Sequence, residues 1–137
     1  MKDCLFCKIV SKEVSSDIVY EDESIIAFLD KFPINKGHTL IIPKRHSKNF
    51  LEDKDKALKK LSLIIKKVGN VIMKATNADG MNIHSNINEV AGQVIFHTHV
   101  HLIPRFKGDG HSFILNKKDF NEKESQEIAS KIKSLLK

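Results

Sequence analysis

The chain has no tryptophan and a single tyrosine. Few aromatic platforms remain on which single-stranded bases could stack, so a single-strand-binding surface is not expected. Long apolar runs are missing as well. Segments such as 39-TLIIP-43 are far too short to cross a bilayer, and no membrane partner is expected. The opening residues Met1, Lys2, Asp3 and Cys4 lack the apolar core of an export signal, which points to a cytoplasmic protein. Cysteine is scarce: Cys4 and Cys7 are the only two. Their spacing suits a metal or redox pair better than an extracellular disulfide framework, and no thioredoxin-like βαβ pattern surrounds them to favour redox chemistry.

Positive charge is in excess. The net charge of +6 invites an anionic partner. The lysines are scattered along helical segments rather than gathered in a stripe, so nucleic acid is not the expected partner. A solvated lysine-rich surface, with a general pull on phosphorylated small molecules, accounts for the excess.

At 137 residues, 41% of them hydrophobic, the chain can bury a core and reads as one domain. Leu5 and Ile9, like Phe6 and Val10, recur four apart and predict a short helix over 3–12. Residues 17–30 read as a hairpin turning at Glu21-Asp22-Glu23-Ser24. Pro33 and Gly37 mark a loop, and 38–43 reads as a third strand. From about 52 to 77, Leu58, Leu61, Ile65, Val68, Ile72 and Ala75 repeat at three and four, the pattern of the main helix. Residues 81–87 alternate as a fourth strand. A fifth follows the 88–93 loop, with Pro104 expected to end it. Asn121 and Glu124 are placed as a capping box for a last helix, with Ile128, Ile132 and Leu135 expected on its buried side. Hairpins around one long helix predict an α+β fold with an antiparallel sheet.

The chemistry concentrates in 97-HTHVHLI-103. Read as a strand, this stretch puts His97, His99 and His101 on one face, about 6.6 to 6.8 Å apart. Three imidazoles so placed are hard to explain as core or surface residues. They fit a metal site, since His-x-His can supply zinc ligands. They also fit nucleophilic catalysis, in which a neutral Nε2 attacks phosphorus while Nδ1–H is held by an acceptor. Asn86, Gly92 and Gln93 lie just ahead. A glycine there lets backbone N–H groups approach an anion, and the two amide side chains add donors.

The pattern 91-AGQVIFHTHVHLIP-104 resembles the signature of the histidine triad (HIT) superfamily, in which histidines alternate with apolar residues; Thr98 replaces the first of these. The resemblance extends through 4-CLFCKIV-10, 19-VYED-22, 26-IAFLD-30 and 36-KGHTLIIPKRH-46, in the order and spacing of the bacterial Hint-like branch. It implies a HIT-like fold over 1–137, with a five-stranded antiparallel sheet, one long central helix and a C-terminal helix. It also implies a hydrolase or transferase acting at the α-phosphate of a purine nucleotide, and a homodimer.

By the same resemblance His99 would be the nucleophile that forms a covalent nucleotidyl-histidine. His101 would contact the phosphate, and His97 would hold the network around the nucleophile. Asp30 would bind the ribose hydroxyls beside Lys31, Asn86, Gly92, Gln93 and Val94 would lie on the phosphate side, and Phe6 would wall the base pocket. The substrates implied are nucleoside 5′-phosphoramidates or related AMP and GMP derivatives, with dinucleoside polyphosphates as the nearest alternative. No metal is required for that chemistry. Cys4, Cys7, His46 and His97 resemble a four-ligand structural zinc site found in some bacterial relatives. One position departs from the pattern: Val94 stands where Ser or Thr is usual, which keeps open a nucleotide-binding module with weak activity. A zinc hydrolase using the triad as ligands is a further alternative.

Overall fold

In a computed structural model, which describes residues 3–112 and 114–136, the chain forms a five-stranded antiparallel sheet with helices on both faces. The strands are β1 (Ile18–Glu21), β2 (Ile25–Leu29), β3 (Thr39–Pro43), β4 (Gly80–His84) and β5 (Val100–Arg105). They are ordered β1-β2-β3-β5-β4. The helices are α1 (Leu5–Val10), α2 (Asp55–Thr76) and α3 (Glu122–Leu135). No helix among the described residues is long and apolar enough to cross a membrane.

The hairpin forms as expected. Asp22 Oδ1 accepts the Ser24 and Ile25 N–H groups, each at 2.8 Å, and so closes the turn. Because side chains alternate along a strand, the sheet builds two cores. Ile25, Ala27, Ile41, Val100 and Leu102 pack against Leu61, Val68 and Ile72 of α2. Ile26, Phe28, Leu40 and Ile42 pack against Phe6 and Ile9 of α1. Ala75, expected on the buried side of α2, is exposed in its last turn.

On the α1 face the registers line up one cross-sheet row. Ile18 pairs with Phe28, Phe28 with Leu40, Leu40 with His101, and His101 with His84. Phe28, Leu40 and His101 of that row line the cleft described below.

Three expectations need correction. The histidine stretch is not one strand, because β5 begins only at Val100. Continuing the ladder would bring Thr98 opposite Pro43, which has no N–H to give. Instead Thr98 N–H donates to Ser47 O at 2.7 Å, and Ser85 Oγ donates to His99 O at 2.7 Å. Second, Pro104 does not end β5. Its carbonyl accepts from Asn35 Nδ2 at 2.9 Å, on the side where β3 has already stopped pairing, so the missing N–H breaks no ladder bond. Third, α3 has its capping box, but Ile128, Ile132 and Leu135 are exposed. The periodicity is there, and no described element of the chain covers it.

Candidate active site

A cleft of about 820 Å³ lies on the α1 face and is lined by Phe6, Phe28, Asp30, Lys31, Leu40, Gly92, Val94, His99 and His101, among others. Its hydrogen bonds settle which nitrogen of each histidine is available. His99 is 5% exposed, and its Nδ1–H donates to the His97 carbonyl at 2.6 Å. That leaves the Nε2 lone pair unspent. Burial lowers the basicity of this ring, so the lone pair is not lost to a proton at neutral pH; the His97 carbonyl and Asp30 oppose the shift only in part.

His101 is set by a residue absent from the predicted site. Ile34 N–H donates to His38 Nδ1 at 3.1 Å. The proton of neutral His38 therefore sits on Nε2, which donates to His101 Nδ1 at 3.0 Å. His101 in turn carries its proton on Nε2 and offers it as a donor. Burial, with His99, His84 and His38 close by, pushes the His101 pKa down to about 3, so the ring is neutral. His84 stacks on it, with centroids 4.8 Å apart and planes 17° from parallel. The His99 and His101 rings lie 5.1 Å apart, and Phe6 meets His99 edge-on at 5.1 Å.

Other predicted residues take different places. Asp30 is at the cleft, with Oδ1 accepting the Phe32 N–H at 2.9 Å and Oδ2 lying 3.5 Å from His38 Nε2. Lys31 and Phe6 line the cleft too. Gln93 does not reach it. That side chain is 2% exposed and braces the loop, donating to Lys48 O and Ile95 O and accepting the Asn88 N–H. Asn86 is not among the lining residues; its Nδ2 faces Gly92 O at 3.4 Å. The N–H groups of Gly92 and Gln93 are taken by Glu89 O and Asn88 O, which leaves Val94 N–H as the nearest one not so engaged. Gly92 has φ of +92°, and a Cβ there would stand 3.2 Å from Asn86 Nδ2, so only glycine fits without strain.

A second cluster lies behind Phe6. Single ligand atoms of Cys4, Cys7, His46 and His97 all fall within 4.8 Å of one another. Cys4 Sγ is 3.4 Å from His97 Nδ1, Cys7 Sγ is 3.6 Å from the same atom, and Cys7 Sγ is 3.4 Å from His46 Nδ1. Neighbouring sulfur and nitrogen ligands of a tetrahedral zinc stand about 3.5 Å apart, so the quartet fits that ion. His97 Nε2–H donates to Pro43 O at 2.7 Å, which turns the Nδ1 lone pair to the thiols, the usual outer-shell arrangement of a ligating histidine. Burial, helped by Cys4, pushes the Cys7 thiol up to about 11; a dication would reverse that preference. Asp30, His38 and His101 also lie close together. There the Ile34 bond puts a proton on the nitrogen an ion would need, so the trio is a hydrogen-bond chain. Among the described residues the triad itself does not converge on a common point, which removes support for a zinc hydrolase built on it.

Of these features, the histidines and cysteines were visible in the sequence. His38 is hard to read from sequence, since its partner is 63 positions away; its one signal is its place at the head of a strand beside Gly37. Ser47 and Ser85, which tether the backbones of Thr98 and His99, had no signal at all.

Comparison with known proteins agrees with this geometry. A family model described as the HIT domain matches residues 11–108. The crystal structure of SMU.412c from Streptococcus mutans is 43% identical, with a TM-score of 0.95, covering 100% of this chain and 87% of that one. That of a histidine triad nucleotide-binding protein from Candida albicans is 30% identical, with a TM-score of 0.87, covering 98% and 97%. An adenylylsulfatase from Arabidopsis thaliana, HINT3, is 41% identical over 107 residues, 78% of this chain and 54% of that protein. The chain belongs to the HIT family.

Proposed function

We propose that the protein is a nucleotide hydrolase that cleaves at the α-phosphate of nucleoside 5′-phosphoramidates or related AMP and GMP derivatives, through a covalent nucleotidyl-His99. One observation carries the reading. The Nδ1–H of His99 is locked on the His97 carbonyl, so a neutral Nε2 is left for the phosphorus, beside a His101 ring that can only donate.

In the first half-reaction the Nε2 electron pair forms an N–P bond as the bond to the leaving amine breaks. The amine departs with the electron pair of the broken P–N bond and takes a proton from solvent. His101 Nε2–H donates to a phosphoryl oxygen whose charge grows in the transition state. His38 polarises it from behind and moves no proton itself, because its other nitrogen is held by a backbone N–H. In the second half-reaction water attacks phosphorus, the N–P bond breaks, and Nε2 is restored as the nucleoside monophosphate leaves. Phe6 excludes water from one side of His99, and Asp30 can accept from the ribose hydroxyls.

The quartet of Cys4, Cys7, His46 and His97 would hold a structural zinc that fixes α1 to the sheet and does not touch the substrate. The bare apolar stripe of α3 supports a homodimer. Ile132→Asp should then shift sedimentation toward the monomer.

The test is release of AMP from adenosine 5′-phosphoramidate, diadenosine tetraphosphate and adenylyl sulfate, with and without EDTA, using His99→Ala as the control. The last compound is included because of the Arabidopsis relative's name. Release that continues in EDTA, even if slowed, and vanishes in His99→Ala supports the proposal. Release that persists in His99→Ala refutes it. AMP binding with no release from any compound favours a binding module.

A further inference from the structure

The loop that leaves α1 brings Ser15, Ser16 and Asp17 to the cleft. Asp17 immediately precedes β1, and its carbonyl accepts the Leu29 N–H at 2.9 Å. Between β1 and β5 lie β2 and β3. Three inter-strand steps, about 14 Å, therefore separate the Asp17 end of the row from His101. The rings of Phe6 and Phe28, with centroids 5.6 Å apart, stand between the two ends. A nucleoside monophosphate with its phosphorus at His99 would lay its base among those rings and turn one edge to this loop.

The polar groups there have nothing to do within the protein. Ser16 Oγ is enclosed and has no hydrogen-bond partner among the described residues, so it does not occupy the neighbouring Asp17 carboxylate. No described residue pairs with the Asp17 carboxylate. The next two acids along the chain behave differently: Glu21 is held by Lys12 and Lys44, and Asp22 by Lys60.

A carboxylate can only accept. Among the common bases, guanine alone presents two adjacent donors on one edge, N1–H and the N2 amino group. Adenine and cytosine set a donor beside an acceptor, and uracil sets its donor between two acceptors. Bidentate, charge-assisted pairing of this kind is strong and selective. We propose that Asp17 selects guanine as the base of the substrate. The proposal rests on the nucleotide-hydrolase reading above and names the substrate class for it.

The experiment compares kcat/KM for the 5′-phosphoramidates of guanosine, inosine and adenosine in the wild type and in Asp17→Asn. Inosine keeps N1–H and lacks the N2 amine, so it isolates one of the two bonds. Guanosine should exceed adenosine by about tenfold, with inosine between them. In Asp17→Asn the advantage of guanosine over inosine should collapse. Calorimetric binding of GMP and AMP, which needs no turnover, keeps this proposal separate from the reaction itself. Tighter binding of GMP, erased by Asp17→Asn, upholds the base selection even if no phosphoramidate is cleaved. Equal affinity in the wild type, a preference that survives Asp17→Asn, or binding of neither nucleotide overturns it. Asp17 is exposed and unpaired, so the variant should fold; an unchanged melting temperature checks that.

Discussion

Replacing His38 with phenylalanine keeps a ring of similar size at a position 3% exposed and removes both nitrogens. His101 then loses the donor that fixes its tautomer and can turn a lone pair toward the phosphate. We expect His38→Phe to lower kcat by about 10- to 100-fold, the range seen for losing one preorganised donor, with little change in KM. A rise in KM at constant kcat would assign His38 to substrate binding instead. Val94 is the other residue to change. Its side chain is 81% exposed and lines the cleft, so Val94→Ser replaces an apolar group with a hydroxyl at no cost in packing. If that hydroxyl reaches the leaving group, turnover should rise about three- to tenfold; steady-state kinetics on the phosphoramidate will show it, and an unchanged or lower rate would count against the idea. Residue types pointed to the cleft that His99 and His101 line, since three histidines in five positions have few structural uses. They did not tell which amide faces the nucleotide. Gln93, expected among the phosphate contacts, is buried as a brace because the carbonyls of Lys48 and Ile95 need donors there.

At the scale of elements, α1 is too short to be stable alone, at 6 residues. Phe6 and Ile9 hold it by burial, and Cys4 and Cys7 hold it through the cluster with His46 and His97. Cys7→Ser, or metal removal from the wild type by a chelator, should lower the melting temperature by at least about 5 °C. Zinc should restore the chelated wild type and leave the variant unchanged. Hydrogen exchange should show α1 opening first. The elements themselves were legible wherever one period ran long enough. The 22-residue α2 and the hairpin stand where they were expected. Strand ends were not legible, because they depend on the partner: β5 starts late since Pro43, far away in sequence, cannot continue the ladder. The stripe on α3 was read correctly as apolar and wrongly as buried, since periodicity reports a sticky face and not what meets it.

Across the whole molecule, stability in acid is tied to Asp109. Its carboxylate accepts from Arg105 Nε at 2.8 Å and Nη2 at 3.0 Å, from Asn35 Nδ2 at 2.9 Å, and from the N–H groups of Phe106 and His111. These donors, Arg105 first, hold its pKa well below the usual carboxylate range. A depressed folded pKa gives stability that is complete above the unfolded value of about 3.9 and is lost as pH falls through the folded one. Asp109→Asn should therefore be less stable than the wild type at pH 7, with the gap narrowing toward pH 3; urea unfolding at the two pH values will show it. The same clasp ties the loop after β5 to the loop before β3. No local pattern announces such a bond, since Asn35 and Asp109 are 74 positions apart.

His97 faces two ways. Its ring belongs to the cysteine cluster, and its carbonyl grips the Nδ1–H of His99. A few covalent bonds join the two, so whatever shifts the His97 backbone to reseat the ring also moves the carbonyl, and His99 is aimed by it. An ion that never touches substrate would thus calibrate the attacking nitrogen. Starved of it, the protein should still collect nucleotides in its cleft while turning them over slowly. Its catalytic rate would then follow the metal supply around it.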